Sequence, residues 1–278
     1  MMIAAGDGID FGPVWDQRGA LLGGIWLMAR VAVASFVLSI VGGLLLAELR
    51  RSRIVWVRGL GFALVQVLRG IALYVLVLWL FNGLAVASGI RFTPVQTGII
   101  ALSLLNSAYL AEIFRAGFDA VPTGQAEAAR AIGLTHPAAM RAVLVPQMVR
   151  ITFPAMGNVF VDIVKDTAIL SVVGVAELMR ESQRWAQFYF RPFEFYTVAG
   201  ILYFAVVMAV SGGWGRLERR LRRHLSAFPG HAGRELPLPR WRSLFRRSPA
   251  TQAGADRSLA GAPSLATSTS STQERNAQ

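Results

Sequence analysis

Apolar positions in this chain fall in long unbroken runs, not in the one-faced pattern of a soluble helix. A run of about 20 apolar residues crosses the hydrocarbon core as a helix, because a helix satisfies its own backbone polar groups there. Five such spans are predicted, at about 21–47, 56–81, 94–114, 152–175 and 195–214. The expected fold class is an all-α membrane protein. Residues 176–194 read as a short amphipathic helix along an interface, with Leu178, Trp185 and Phe188 set among charges. Residues 1–19 are expected to form a short external N-terminus. From about 224 the periodicity is lost, Pro229, Pro237, Pro239 and Pro249 interrupt the chain, and 264–272 is rich in Ser and Thr. Residues 224–278 are expected to be a disordered cytoplasmic tail.

Arginine placement orients the spans. With the N-terminus outside, 13 Arg fall on the cytoplasmic side, among them Arg50, Arg51, Arg53, Arg58, Arg115, Arg130, Arg141 and Arg150. Five fall outside: Arg18, Arg91, Arg180, Arg184 and Arg191. The expected topology is N-terminus out and C-terminus in, which makes about 115–150 a cytoplasmic loop.

Composition supports this class and excludes others. The chain is 54% hydrophobic and 16% charged, with mean hydropathy +0.48, too apolar for a soluble domain. It has no Cys, which excludes disulfides and thiol chemistry. Its three His are dispersed, so no metal site is expected. Residues 216–278 hold 12 Arg against 4 acids, or +8 of the net +12. Charge placed just after the last span reads as a contact with anionic lipid. It lacks the aromatic interleaving of a nucleic-acid surface, and no nucleic-acid partner is expected. The first 17 residues hold Asp7, Asp10 and Asp16 with no basic residue, unlike a cleavable signal peptide.

The cytoplasmic loop has a definite pattern. Gln125 to Ile132 favours a helix with Ala126, Ala129 and Ile132 near one face, and Gly133 is suited to end it. Thr135 or His136 can cap a second helix that opens at Pro137, where a missing N–H costs nothing. That helix is expected to run to about Val145, with Pro146 re-aiming the chain toward the next span. Glu127 sits in the first turn, where its charge complements the helix dipole. Ala128 and Ala129 let the backbone approach a partner closely, as in helix-in-groove docking. A plain amphipathic connector is the other reading of the same residues.

The stretch Glu127-Ala128-Ala129, three residues, Gly133, nine residues, then Val143-Leu144-Val145-Pro146 resembles the EAA signature of ABC importer permeases. Val143 and Val145 stand where Ile and Leu are usual. The segments 108–115 (AYLAEIFR), 120–125 (AVPTGQ), 165–168 (KDTA), 171–178 (SVVGVAEL) and 191–194 (RPFE) are similar to the polar amino acid branch. That branch includes histidine, glutamine, glutamate, arginine and opine permeases. The resemblance covers about residues 20–223. It implies a type I importer permease in the bacterial inner membrane, with 20–223 as its transmembrane domain. It further implies an ATPase dimer docked on the EAA loops and a second permease, identical or paralogous. A periplasmic solute-binding protein would deliver the small-molecule substrate. The chain has no GxxxxGK[ST] loop, and no paired acids or Ser/His arrangement at membrane depth. It is therefore expected to bind no cofactor and to be no enzyme itself.

Charged and polar groups within spans mark candidates for a translocation path or gate. Asp162, Lys165 and Asp166 fall in the fourth span, and Lys165, the only Lys, lies three residues from Asp162. They read either as a structural ion pair or as a gate. Glu112 lies one turn before Arg115 and is expected to pair with it. Asn106 and Ser107 are expected to bond between helices in preference to binding substrate. The second span departs from the family's Glu, two residues, Arg-Gly-Thr-Pro. Here it reads Gln66-Val67-Leu68-Arg69-Gly70-Ile71-Ala72, and Leu76 replaces a later Gln. Arg69 remains a candidate. Without the Pro this helix is expected to be straighter. The lost polar positions leave open a permease for a different solute, a substrate-silent half of a heterodimeric pore, or a scaffold.

Overall fold

The computed structural model describes residues 9–223; residues 1–8 and the tail expected from 224 lie outside the described residues. The described chain is helical, with no strand among those residues. It runs α1 (Gly12–Asp16), α2 (Arg18–Arg51), α3 (Val55–Gly70) and α4 (Leu73–Leu78). A π turn, Trp79–Gly83, leads into α5 (Leu84–Ser88), and α6 (Pro94–Asp119) follows. Then come α7 (Thr123–Ala131), α8 (His136–Ala139), a second π turn at Met140–Leu144, and α9 (Val145–Asp166). A 3-10 turn, Thr167–Val173, leads to α10 (Leu178–Tyr189) and α11 (Pro192–Arg223).

Among the described residues, three helices are long and apolar enough to cross a membrane: α2, α6 and α11, with the α3–α5 pair as a fourth if it is one span. The fourth span expected at 152–175 corresponds to α9 and its 3-10 extension. Its helix ends at Asp166, and Asn158, Asp162, Lys165 and Asp166 dilute its apolar character.

The core is built on α2 packed along α6. Met28, Val31, Ala32, Ala101, Leu102, Ala108, Leu110 and Ala111 are all buried there. Serines let the two backbones approach, as at helix interfaces within lipid. Ser103 Oγ donates to Ser35 O at 3.3 Å, and Ser39 Oγ lies 3.4 Å from Ser103 O. Thr93 and Gln96 form a capping box that starts α6. The helix α9 packs on α6, where Thr152 and Met148 lie over Gly117, and meets α2 where the Phe36 and Phe160 rings lie 4.9 Å apart. Trp214 joins α11 to α9: its ring stacks on Phe153 with centroids 4.6 Å apart, and its Nε1 donates to Phe153 O at 3.0 Å.

Three local expectations are corrected. The second span is not straighter for lacking its Pro: α3 and the Leu73–Ser88 helix are bent by 99°. Ile71 (ψ 131°) and Ala72 (ψ 131°) adopt extended backbone there. Tertiary packing turns the chain, because Leu73, Leu76, Val77 and Leu80 are all buried beyond the break. Pro146 does not re-aim the chain, since it lies in the first turn of α9, which continues from α8 through the π turn. Its missing N–H falls next to the π turn at Met140–Leu144, where the regular ladder is already interrupted. Asn106 and Ser107 do not bond across to another helix. Each bonds back to its own helix, Asn106 Nδ2 to Leu102 O at 2.8 Å and Ser107 Oγ to Leu104 O at 2.7 Å.

At the opposite end of the bundle from Arg50, the chain closes on a buried carboxylate. Glu177 caps α10, accepting from Met179 N at 2.8 Å and Arg180 N at 2.9 Å, and Tyr203 Oη of α11 donates to it at 2.6 Å. Burial pushes the Glu177 carboxyl above the usual carboxylate range, outweighing the Tyr203 and backbone donors that pull it down. A carboxyl raised in the folded state favours folding most at pH below its unfolded value, and that contribution fades as pH rises through the folded value. Thermal melts between about pH 4 and 7 should thus decline more steeply for the native chain than for Glu177→Gln. Parallel slopes would contradict this.

Candidate functional site

The loop between α6 and α9 keeps the expected helix–turn–helix, but α7 starts at Thr123, so Glu127 lies in its second turn and not the first, and Ile132 falls just past its end. In α7, Thr123–Ala131, the buried Ala129 faces inward while Glu127 and Ala128 are exposed. Gly133 ends the helix at φ +83°. Its N–H bonds Arg130 O at 2.9 Å, and Leu134 N bonds Ala129 O at 3.1 Å. This pair of bonds is the Schellman closure, and its left-handed residue is why Gly stands there. Thr135 is the N-cap of α8, with His136 and the exposed Pro137 opening it. The Thr135 side chain makes no capping bond. Gln147 Nε2 donates to Gln125 Oε1 at 3.2 Å, tying α7 to the start of α9. The result is two short helices at a sharp turn, with an exposed apolar Ile132 at the tip. The second of them is continuous with a long core helix.

Just beside this loop, the structure assembles an arginine cluster that sequence reasoning saw only in part. Glu112 on α6 pairs with Arg115 one turn later, Nε to Oε2 at 3.2 Å, as expected. It also takes Arg50 from the end of α2, and Arg69 from the end of α3 at 3.6 Å. Arg115 in turn reaches Asp119 at 2.8 Å. Cations at the C-terminal ends of α2 and α3 suit the helix dipoles, and Glu112 lies between them. One carboxylate therefore ties α2, α3 and α6 together. Arg69 also lies over the Tyr109 ring, 5.5 Å from its centroid. The signal for Arg50 was absent from local spacing, because it is 62 residues from Glu112.

The remaining candidates lie apart from this cluster. Lys165 Nζ and Asp162 Oδ1 pair at 2.7 Å on the surface of α9, and each side chain is over half exposed. Asp166 is half-buried at the end of the same helix, and Asn106 is buried within α6. No ion pair joins these groups to Glu112 among the described residues. No group of three or more metal-ligating side chains occurs among them either.

The comparisons with known proteins agree with this architecture. Residues 39–223 match the family model described as "Binding-protein-dependent transport system inner membrane component". The chain is 33% identical over 219 residues to the histidine/lysine/arginine/ornithine transport system permease protein HisQ of Salmonella typhimurium, covering 74% of this chain and 95% of that one. It is 31% identical over 210 residues to the probable glutamine ABC transporter permease protein GlnM of Bacillus subtilis, covering 76% and 97%. A solved structure titled as an amino acid ABC transporter with histidines superposes with TM-score 0.71 at 33% identity, over 77% of this chain and all of that one. With its helical bundle and its helix–turn–helix loop, the chain belongs to the family of binding-protein-dependent transport system inner membrane components.

Proposed function

We propose that this chain is the permease subunit of an ATP-driven importer for a polar amino acid or close relative, lying in a bacterial inner membrane. The observation that carries this reading is the exposed α7–turn–α8 element, continuous with the core helix α9. A continuous helical connection of this kind passes a push from a docked partner into the bundle, less what the π turn at Met140–Leu144 absorbs. In this reading Glu127, Ala128, Ala129, Gly133, Pro137 and Pro146 form the coupling element that an ATPase dimer engages. A second permease copy or a paralogue completes the pore, and a periplasmic solute-binding protein supplies the solute. The Arg50 end faces the cytoplasm, with the N-terminus outside and the C-terminus in. Residues 20–223 are the working unit and 224–278 a cytoplasmic tail. The names of the relatives support an amino acid as the solute. Asp162, Lys165 and Asp166 on the exposed side of α9, with Arg69 and Glu112, are the polar groups available to a path or gate.

One observation favours a second reading, the substrate-silent half of a paired pore. Leu76, at the position where the family's branch carries Gln, is buried in the core and offers no polar group to a solute. Uptake with this chain as the sole permease separates the two, since full transport by a homodimer would sink the silent-half reading.

The importer reading is tested by affinity purification from mild-detergent membranes, followed by reconstitution. An ATPase should accompany the native chain; a chain recovered alone after gentle crosslinking at 125–145 would overturn the reading. In the reconstituted assembly, Gly133→Val should lower solute moved per ATP hydrolysed by roughly tenfold, the strain of a branched residue in left-handed backbone being about 1–2 kcal/mol. Uptake at the native ratio would count against the docking role of this loop.

A further inference from the structure

Sharing Arg50 and Arg115 with the Glu112 cluster is a cleft of about 380 Å³, further lined by Val55, Arg58, Gly59 and Phe62. Its walls follow from the sequence. Val55, Arg58, Gly59 and Phe62 fall at successive i, i+3, i+4 and i+7 positions and so share one face of α3. The end of α2 supplies Arg50 and the end of α6 supplies Arg115. Close approach of α3 to α2 forms the cleft, since a Cβ on Gly61 would lie 3.0 Å from Leu49 Cβ and 3.1 Å from Arg50 Cγ.

Charge within the cleft is unevenly satisfied. Arg50 and Arg115 share Glu112, and Arg115 also has Asp119. Arg58 has no ion-pair partner among the described residues and is exposed on the cleft wall. Arg50 also lies over the Phe62 ring, 5.5 Å from its centroid, and both line the cleft. Three forked donor groups thus converge where two carboxylates are already committed to other bonds. Planar guanidinium groups in this arrangement suit the oxygens of a phosphate. Val55, Phe62 and the open space at Gly59 give an apolar side to the same cleft.

The surroundings identify the source of the phosphate. The cleft sits at the hairpin between two apolar helices, where Ile54, Val55 and Trp56 are all exposed, Trp56 at 88%. Arg51 and Arg53 flank it, and Arg51 covers the Phe118 ring at 4.2 Å. Exposed Trp beside clustered Arg is the composition of a membrane–water interface. We propose that this cleft binds the headgroup phosphate of an anionic phospholipid, with Arg58 as the principal free donor and Phe62 and Val55 against the glycerol and upper acyl carbons. The headgroup site itself needs no orientation. Its placement in the cytoplasmic leaflet rests on the topology proposed above, so binding is measured in detergent, where no leaflet exists, and topology is measured separately.

The test is native mass spectrometry of the purified full chain in non-ionic detergent, with phosphatidylglycerol or phosphatidylcholine of matched acyl chains. The native chain should retain one phosphatidylglycerol in preference to phosphatidylcholine. Arg58→Gln should weaken that retention about fivefold, the effect of one basic group at an anionic lipid surface. Gly59→Leu keeps every charge and fills the cleft, and it should weaken retention comparably. A diffuse electrostatic attraction would survive Gly59→Leu, so native retention in that variant would overturn the site. Equal retention of the two lipids, or no effect of Arg58→Gln, would overturn it as well. Displacement of the lipid by millimolar inorganic phosphate would assign the cleft to a soluble anion and overturn the lipid assignment.

Discussion

Gly24→Ala is expected to lower the melting temperature of the detergent-purified chain by about 3–10 °C, the equivalent of 1–3 kcal/mol of overpacking in a protein of this size. A Cβ on Gly24 would sit 2.8 Å from Leu178 N, 2.9 Å from Leu178 Cα and 3.0 Å from Glu177 C. All three are backbone atoms, so no rotamer change relieves the clash. The contact also lies at the Glu177 cap, whose bonds to Met179 N, Arg180 N and Tyr203 depend on that backbone staying in place. Pushing α2 away from the start of α10 therefore disturbs packing and a buried polar network together. The neighbouring Gly23 is the control: a Cβ there meets nothing within 4 Å. Gly23→Ala should be neutral or stabilising by up to about 1 kcal/mol, the helix propensity gained. Equal melting of the two variants would refute the close approach.

Glu112→Gln is expected to cost about 2 kcal/mol and to open the junction of α2, α3 and α6. The substitution keeps shape and removes charge. It leaves Arg50, whose side chain is only 12% exposed, without its anion, and it also releases Arg69 and Arg115. Glu112 is itself a quarter exposed, so the effect falls short of that for a fully buried pair. Asp162→Asn makes the comparison. Its pair with Lys165 is over half exposed on both sides, and such pairs contribute about 0–1 kcal/mol. Melting temperatures of the two variants should thus separate by several degrees, with Glu112→Gln the lower. Equal shifts would show that the three-arginine junction is not a structural centre.

These two sites also mark what the sequence made legible. Apolar runs announced α2, α6 and α11 because lipid demands about 20 apolar residues whatever the fold. Gly133, Pro137 and the alanines announced the loop because helix ends are governed by local rules. The bend at Ile71–Ala72 was hidden, since no Pro or special residue imposes it. Burial of Leu73, Leu76, Val77 and Leu80 selects the extended dihedrals there, and burial is a tertiary fact. Glu112 was visible only toward Arg115, its helical neighbour. The links to Arg50 and Arg69 join residues far apart in sequence, which periodicity does not encode. An Asn within an apolar run suggests a bridge between helices, whereas the Asn106 amide returns to Leu102 O and the crossing bonds come from Ser35, Ser39 and Ser103.

The continuous helical run from His136 to Asp166, with its π turn at Met140–Leu144 and Pro154 inside α9, has a mechanical consequence. It is about 45 Å long at 1.5 Å per residue. It approaches α6 closely at Thr152, whose Cγ2 lies 2.2 Å from where a Cβ on Gly117 would stand. Thr152 is 16 residues from His136 and 14 from Asp166, so the support divides the rod into nearly equal arms. In the proposed coupling this run would act as a seesaw with a ratio close to one, hinged where Pro154 removes a backbone bond two residues past the support. A sideways displacement of the exposed His136 end would then reappear at Asp162, Lys165 and Asp166 with similar size and opposite sense. A second compliant point is the π turn at Met140–Leu144, on the arm nearer the loop, so give in that turn would be subtracted from the input before it reaches the fulcrum.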